Sequence, residues 1–202
     1  MKTSRENKLN HFYSIYKGGP IVDVGVSSSA RIKGENVFLE EFALRPDLYT
    51  GLGVEDLSEV AAAHPDKRFV RYAGGKFPFK DNEFDWVFSN AVIEHVGDDD
   101  AHLMFINEML RVAKTVFFTT PNKFFPVESH TNAIFLHWVP GEIFYRWCAR
   151  YRPYWNETNL RLLSYSKLNS LMKKSNAQEY KIYKNSMLGW PLTFTVVCKS
   201  QN

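Results

Sequence analysis

The sequence predicts a single α/β domain with a doubly wound, mostly parallel seven-stranded sheet that closes in a C-terminal antiparallel hairpin. Three observations lead to this fold class. Short apolar segments alternate with helical segments over residues 21–120, as in parallel strands joined by crossover helices. Two β-rich segments follow near the C-terminus. The length of 202 residues suits one hydrophobic core better than two small domains.

The predicted parallel strands are short apolar runs bounded by turn residues. They cover residues 21–26, 49–54, 68–72, 84–89 and 115–120. Residues 179–184 and 192–199 form the predicted hairpin, with its turn at Gly189, Trp190 and Pro191. The hairpin adds an antiparallel strand to a sheet that is otherwise parallel.

Four helices are predicted from capping residues and apolar spacing, over residues 35–45, 56–64, 98–114 and 164–175. The strongest is 98–114, because Leu103, Ile106 and Leu110 keep one face apolar. Arg111 and Lys114 at its end complement the helix dipole. Helices alternating with parallel strands imply a ligand crevice at the carboxyl ends of the strands.

Composition narrows the class of partner. The formal net charge is +3, with Lys and Arg spread along the chain, whereas a phosphate backbone requires a clustered basic surface, so nucleic acid is not expected. Cys148 and Cys198 lack metal-ligand spacing, so no metal is expected and both are interpreted as reduced thiols. Because no apolar run is long enough for a signal peptide or a membrane span, we expect a cytoplasmic location.

The turns after the first two predicted strands carry the first candidate site residues. A ligand approaches the backbone closely after the first strand of such a sheet, and the sequence there is Asp23-Val24-Gly25-Val26-Ser27. Glu55 and Asp56 follow the second strand. An acidic side chain at that point either accepts the hydroxyls of a ribose or caps the next helix, and with two in succession one can do each.

Residues 76–96 hold the most specific pattern, KFPFKDNEFDWVFSNAVIEHV. Here the chain resembles the class I S-adenosylmethionine-dependent methyltransferases, in particular the type 11 subgroup. The matching elements, in order and spacing, are Phe77-Pro78-Phe79, Asp81-Asn82, Phe84-Asp85 and Glu94-His95-Val96, followed by Arg111-Val112-Ala113 and Thr119-Thr120-Pro121-Asn122. The resemblance covers roughly residues 21–140 and implies a Rossmann-like methyltransferase fold.

The resemblance implies S-adenosylmethionine as the cofactor. Its methionine part is expected near Asp23, Gly25, Val26 and Ser27, its ribose at Glu55 or Asp56, its adenine near Ala73, Gly74 and Phe77, and its sulfonium at Asn90 and Ala91. The chain departs from the family pattern at two positions. Ala73 stands where the family usually has an aspartate for the adenine amine, and Val26 stands where a further glycine is usual.

Two histidines are the predicted catalytic residues. His95 lies just past the fourth strand and His130 past the fifth, so both are expected at the rim of the crevice. Each can take a proton from a methyl acceptor, or can be an ordinary hydrogen-bond partner in the core. Glu128 is either a pocket acid or a solvated loop residue, and the second interpretation is favoured.

Residues 123–160 are predicted to form an aromatic-rich insertion, with Trp138, Trp147 and Trp155 among their rings. One interpretation is a lid over an apolar or aromatic acceptor, or a peripheral contact with a membrane. The other is a second small core, and a lid that is partly core is favoured. The exposed aromatics could also seat a partner, and the oligomeric state is open.

The leading functional hypothesis is a methyltransferase that acts on a small-molecule or carrier-bound acceptor. The alternative is a non-catalytic descendant of the same fold that serves as a binding or scaffold module, which the two departures would explain. A nicotinamide-dependent oxidoreductase is disfavoured because the three-glycine fingerprint is absent.

Overall fold

The computed structural model describes residues 2–28, 36–42 and 44–201, and they build one seven-stranded sheet. The strands are β1 (Ile21–Val24), β2 (Tyr49–Gly53), β3 (Arg68–Arg71), β4 (Phe84–Asn90), β5 (Ala113–Pro121), β6 (Ala177–Met187) and β7 (Trp190–Ser200). Their order is β3-β2-β1-β4-β5-β7-β6. β1 to β5 are parallel, and β7 is antiparallel to both β5 and β6. The predicted fold class is confirmed.

Six α-helices lie in the described part of the chain: α1 (Lys2–Ile15), α2 (Val37–Glu41), α3 (Ser58–Ala63), α4 (Asp99–Val112), α5 (Gly141–Tyr151) and α6 (Tyr165–Lys174). The strongest predicted helix corresponds to α4, whose N-cap Asp98 accepts a hydrogen bond from the Ala101 amide. None of the helices of the described residues is long and apolar enough to cross a bilayer.

The sequence did not predict α1 or α5. α1 is polar along most of its length, and it is held by a few buried side chains such as Leu9 and Phe12. α2 is shorter than the predicted helix 35–45, and residues 35 and 43 of that prediction lie outside the described part. Helical periodicity is a weak signal where tertiary contacts supply most of the stability.

The hairpin turn lies one residue earlier than predicted. Leu188 and Gly189 both have a positive φ, 51° and 82°, and Met187 pairs with Trp190. Two successive left-handed residues fit the two-residue loop whose twist matches the flanking strands. Trp190 and Pro191 therefore belong to β7 and not to the turn.

The sheet is covered on both faces by apolar side chains. Val22 and Val24 of β1 belong to the cluster that includes α4 and α6, whereas Ile21 belongs to the cluster that includes α1, α2 and α3. This division follows from the strand geometry, in which successive side chains point to opposite faces. The carboxyl ends of the parallel strands lie between these two layers.

The aromatic insertion packs a third, smaller cluster. Ala133, Phe144, Cys148 and Leu160 are buried together, and Trp155 is half-buried against them. Other rings of the insertion are exposed, among them Phe124, Phe135, Tyr151 and Tyr154. The insertion thus has a core of its own and also presents apolar surface.

Candidate active site

A cavity of about 750 Å³ lies at the carboxyl ends of β1, β2 and β4. Its volume is within the range of small-molecule and cofactor sites. Backbone of the turns after β1 and β3 contributes to its wall through Gly25, Gly74 and Gly75. This is the crevice that a doubly wound sheet is expected to offer to a ligand.

Most of the predicted site residues meet at this cavity. The predicted cofactor residues that line it are Gly25, Val26, Ser27, Glu55, Gly74, Asn90 and Ala91. Both predicted catalytic residues, His95 and His130, line it as well. Residues that are up to 105 positions apart in the sequence are therefore neighbours in the fold.

Four of the predicted cofactor residues are not part of the cavity wall: Asp23, Asp56, Ala73 and Phe77. Asp56 accepts hydrogen bonds from the amide and hydroxyl of Ser58, at 2.9 and 2.6 Å, at the start of α3. Phe77 is buried, and Ala73 is exposed. Of the two acids after β2, Asp56 thus serves the helix, whereas Glu55 faces the cavity.

Asp23 faces the layer of α1, α2 and α3. Its carboxylate accepts a hydrogen bond of 2.6 Å from the buried Tyr49 hydroxyl. Burial raises the pKa of Asp23 to about 7, although the hydrogen bond from Tyr49 acts in the opposite direction. The folded protein therefore favours a neutral carboxyl at this position.

This raised pKa predicts that Asp23 makes the free energy of unfolding depend on pH. An acid whose pKa is higher in the folded state stabilises the protein below its unfolded pKa, and this contribution is lost as the pH rises toward 7. Between pH 5 and pH 7 the wild type is expected to lose about 2–3 kcal/mol of unfolding free energy through Asp23. Asp23→Asn lacks this loss, so the unfolding free energy of the variant minus that of the wild type should rise by the same amount. Urea denaturation of both proteins at the two pH values measures this, and a constant difference would contradict it.

The turn after β1 leaves room for a ligand despite Val26. The Val26 side chain is only 4% exposed and packs with the cluster that includes α2 and α3. A Cβ at Gly25 would overlap the Val92 side chain, and a Cβ at Gly53 would overlap the Val26 carbonyl oxygen. Glycine at these two positions thus permits the close packing of the turns, and the cavity above them stays open.

The serine-containing end of this turn is fixed by hydrogen bonds. The Ser27 amide donates to Asn36 Oδ1 at 2.9 Å, and Asn36 Nδ2 donates to the Ser27 carbonyl at 3.1 Å. The Ser28 amide donates to Glu55 at 3.0 Å. Hydrogen bonds from Ser28 lower the pKa of Glu55, so this cavity residue is a carboxylate at neutral pH.

Lys8 of α1 reaches the cavity-lining Asn90. Its ammonium donates to Asn90 Oδ1 at 2.7 Å, and the Thr119 hydroxyl donates to the same oxygen at 2.8 Å. Two donors on one amide oxygen fix the orientation of the Asn90 side chain. No local pattern indicates Lys8 as a site residue, because 82 residues separate it from Asn90 and no motif surrounds it.

His95 and His130 are held by hydrogen bonds to Nδ1. His95 Nδ1 lies 2.8 Å from the Asn159 carbonyl oxygen, and His130 Nδ1 lies 2.7 Å from Glu128 Oε1. Their ring centroids are 4.8 Å apart, and Trp155 of the insertion contacts both rings. The insertion therefore borders the histidine side of the cavity.

Glu128 is a buried acid, so the expectation of a solvated loop residue is wrong. It is 3% exposed and accepts hydrogen bonds from the amides of His130 and Thr131 and from the Thr131 hydroxyl. Burial acts to raise the pKa of Glu128, but the hydrogen bonds and the charge of His130 lower it to about 2. In the same way the pKa of His130 is raised by Glu128 although burial acts to lower it. Glu128 thus holds the His130 ring through a hydrogen bond of 2.7 Å at Nδ1.

Glu94 precedes His95 and is completely buried. Its Oε2 accepts a hydrogen bond of 3.1 Å from Thr120, whereas Oε1 has no hydrogen-bond partner in the described part of the chain. Burial raises the pKa of Glu94, although the nearby His95 and His130 act in the opposite direction. In the sequence Glu94 stands out only as part of the family pattern, because its burial depends on β5 packing beside it.

The strand order and the open crevice define a Rossmann-like α/β protein with a ligand crevice at the carboxyl ends of its parallel strands. Residues 38–116 match the model of a family described as a methyltransferase domain. The resemblance to class I, type 11 methyltransferases is thereby confirmed. The match spans α2 to the first half of β5, which includes Glu55, Asn90 and His95.

Solved structures with the same fold include several methyltransferases. A protein of Thermotoga maritima described as an S-adenosylmethionine-dependent methyltransferase and possible histamine N-methyltransferase has 16% identity and a TM-score of 0.63, over 96% of this chain and 88% of that one. A 1,6-didemethyltoxoflavin-N1-methyltransferase of Burkholderia thailandensis, solved with S-adenosylhomocysteine, has 12% identity and a TM-score of 0.62, over 98% of this chain and 78% of that one. The TM-scores show that the three proteins share a fold. A comparison with curated proteins gave no significant match.

Proposed function

We propose that this protein is an S-adenosylmethionine-dependent methyltransferase that acts on a small-molecule or carrier-bound acceptor. The observation that carries the proposal is the 750 Å³ cavity at the carboxyl ends of β1, β2 and β4, which is lined by the residues that the family resemblance assigns to the cofactor. The match to a methyltransferase domain over residues 38–116 supports it independently. The non-catalytic alternative is not favoured, because neither Val26 nor Gly74 fills the cavity.

The residues of the cavity suit this cofactor in chemical type. The Glu55 carboxylate can accept two ribose hydroxyls, and the backbone at Gly74 and Gly75 can approach the adenine, since open space surrounds both glycines. The fixed Asn90 side chain lies where the resemblance expects the sulfonium. The cofactor supplies an electrophilic methyl group when it is bound, and the protein chiefly supplies position and a water-excluded surface.

We assign the acceptor to the histidine side of the cavity. His95 and His130 line it there, and Trp155 stacks on the His95 ring and contacts the His130 ring edge-on. In this proposal the two imidazoles contact the acceptor and take the proton from the atom that receives the methyl group. Aromatic rings at this end, together with the exposed rings of the insertion, favour an acceptor or carrier with an apolar or planar portion.

The proposal predicts direct binding of the cofactor and its product. Isothermal titration of the purified protein is expected to give one site for S-adenosylmethionine and one for S-adenosylhomocysteine, each with a micromolar dissociation constant, on the order of −8 kcal/mol. Adenosine alone and methionine alone are the controls, and each should bind more weakly because it fills part of the cavity. No heat with either full ligand at millimolar concentration would contradict the proposal.

The acceptor can be sought with a labelled methyl group. Incubation of the protein with metabolite extract and methyl-labelled S-adenosylmethionine is expected to place label in one small molecule or one carrier-bound species, which mass spectrometry identifies. A heat-denatured sample of the protein is the control for chemical methylation.

A further inference from the structure

Three side chains of the cavity region offer the ligand atoms of a metal site. Glu94, His95 and His130 each contribute one atom, a carboxylate oxygen or a ring nitrogen, and these atoms all lie within 4.8 Å of one another. Two of the three residues line the cavity, and the third is buried directly beside them. Two imidazoles and one carboxylate are a recurrent ligand set for Zn²⁺ and for non-haem Fe²⁺ in enzymes.

The hydrogen bonds of the two imidazoles leave Nε2 as the ligand atom of each. The Asn159 carbonyl can only accept, so His95 Nδ1 must carry the proton. The Glu128 carboxylate accepts hydrogen bonds from the amides of His130 and Thr131, and its Oε1 lies 2.7 Å from His130 Nδ1, so His130 Nδ1 also donates. In a neutral ring the lone pair is then on Nε2. A metal-bound histidine typically gives its other N–H to a backbone carbonyl or a carboxylate, and these two histidines have one partner of each kind.

Glu94 supplies an independent indication. Its side chain is 0% exposed, and Oε1 has no hydrogen-bond partner in the described part of the chain. A buried carboxylate oxygen without a partner costs folding free energy, so most such atoms in native proteins are satisfied by a donor, a water or a cation. The unpartnered oxygen here belongs to the residue that lies beside two imidazoles whose Nδ1 atoms are already hydrogen-bonded.

We propose that Glu94, His95 and His130 bind one divalent transition-metal ion of the Zn²⁺ or Fe²⁺ type, at the acceptor end of the cavity. Mg²⁺ and Ca²⁺ are disfavoured, because both prefer oxygen ligands and two of the three donors are nitrogens. A tetrahedral ion with bonds of about 2.1 Å needs donor atoms about 3.4 Å apart. The atoms that the three residues offer lie within 4.8 Å of one another, so side-chain rotation has to bring the donors closer together around the ion.

The metal site extends the proposed function, and its role in methyl transfer rests on that function. Three protein ligands leave at least one position of the ion open, as in catalytic zinc sites. Because His95 and His130 line the cavity, an ion held by them would lie beside the space assigned to the acceptor. An acceptor oxygen, nitrogen or sulfur at that position would be oriented toward the methyl group and would lose its proton more readily. The histidines would then act on the acceptor through the ion and not as free bases.

The test is metal binding by the full chain without any cofactor. The protein is treated with a chelator, dialysed at pH 8 and titrated with Zn²⁺ by calorimetry, and with Co²⁺ by visible absorption. We expect one ion per chain, micromolar or tighter for Zn²⁺, and Co²⁺ bands typical of four or five ligands. Glu94→Gln, His95→Gln and His130→Gln should each weaken Zn²⁺ binding at least 100-fold, and Glu128→Gln about 10-fold to 100-fold, since it orients one ring.

His64→Gln is the matched control, because His64 lies at the end of α3 and outside the three-residue group. It should leave the affinity for Zn²⁺ unchanged. If a site variant folds poorly, the shift in melting temperature on adding Zn²⁺ gives a second measure, and the wild type should be stabilised where the folded variants are not. Absence of binding below millimolar Zn²⁺, or binding that survives all three substitutions, would overturn the proposal.

The metal site and the methyltransferase proposal fail separately. Zn²⁺ binding without any S-adenosylhomocysteine binding supports the site and removes the proposed role. S-adenosylhomocysteine binding without Zn²⁺ binding keeps the transferase and overturns the site. If both bind, methyl transfer to the acceptor should fall at least 10-fold with a chelator and recover with added metal, and activity unaffected by complete metal removal would overturn the role.

Discussion

Replacing Arg111 with methionine is expected to lower the free energy of unfolding by about 3 kcal/mol, the largest loss that we expect from a surface-accessible residue of this protein. The Arg111 guanidinium donates to the carbonyl oxygens of Phe77 and Phe79 at 3.0 and 2.8 Å and to Asp81 at 2.8 Å. It also forms a two-point ion pair with Glu108. One side chain of α4 thus holds the segment that follows β3.

The loss of Arg111 is expected to be this costly because its hydrogen-bond acceptors are left without a donor. Glu108 is only partly exposed, and its other contact is the Phe77 amide at 2.7 Å. Without Arg111 its carboxylate loses its counter-charge, and two backbone carbonyls lose their donors. The guanidinium hydrogen bonds and nearby acids raise the pKa of Arg111, so the charge is present at every practical pH. Lysine is not expected to substitute, since it lacks the planar fork of donors.

Lys114→Met provides the matched control, three residues further along the chain. Lys114 pairs with Asp85 at 2.7 Å, but both side chains are substantially exposed. Removal of an exposed pair is expected to cost less than about 1 kcal/mol. Urea denaturation of the wild type and both variants measures the difference. Equal effects of the two substitutions would show that the network around Arg111 has no special weight.

Replacing Glu55 with glutamine is expected to weaken the binding of S-adenosylmethionine and S-adenosylhomocysteine about 10-fold to 100-fold. The expected loss is that of a charge-assisted hydrogen bond to ribose, about 1.5–3 kcal/mol. The amide can still accept from the Ser28 amide, so the turn after β1 should keep its shape. Isothermal titration against both ligands measures the change, and circular dichroism checks the fold.

Asp56→Ala is the control for Glu55→Gln, and it is not expected to weaken ligand binding. Asp56 is exposed, accepts from Ser58 and does not line the cavity. Its loss should leave the affinity for ligand within about twofold, because its hydrogen bonds to Ser58 act at the start of α3 and not at the cavity. If Asp56→Ala instead weakens binding while Glu55→Gln does not, the assignment of the two acids is reversed.

The crevice was predictable because it depends on chain order. Strands alternating with helices produce a parallel sheet whose carboxyl ends meet at one edge, so any residue just after a strand is placed there. Gly25, Glu55 and His95 follow strands in this way, Asn90 is the last residue of β4, and all four line the cavity. Asp23 lies within its strand, where pleating directs its side chain to one face of the sheet. That is why it contacts Tyr49 and not the cavity.

The sequence by itself determined the order and type of the sheet elements and the segments that flank the crevice, because these follow from local periodicity and from topology. Only the tertiary structure decided which side chains meet: Lys8 with Asn90, Glu128 with His130, and Glu94 with both histidines. Such contacts depend on the relative placement of helix α1, strand β5 and the insertion. No local pattern encodes that placement, because it results from packing the whole core.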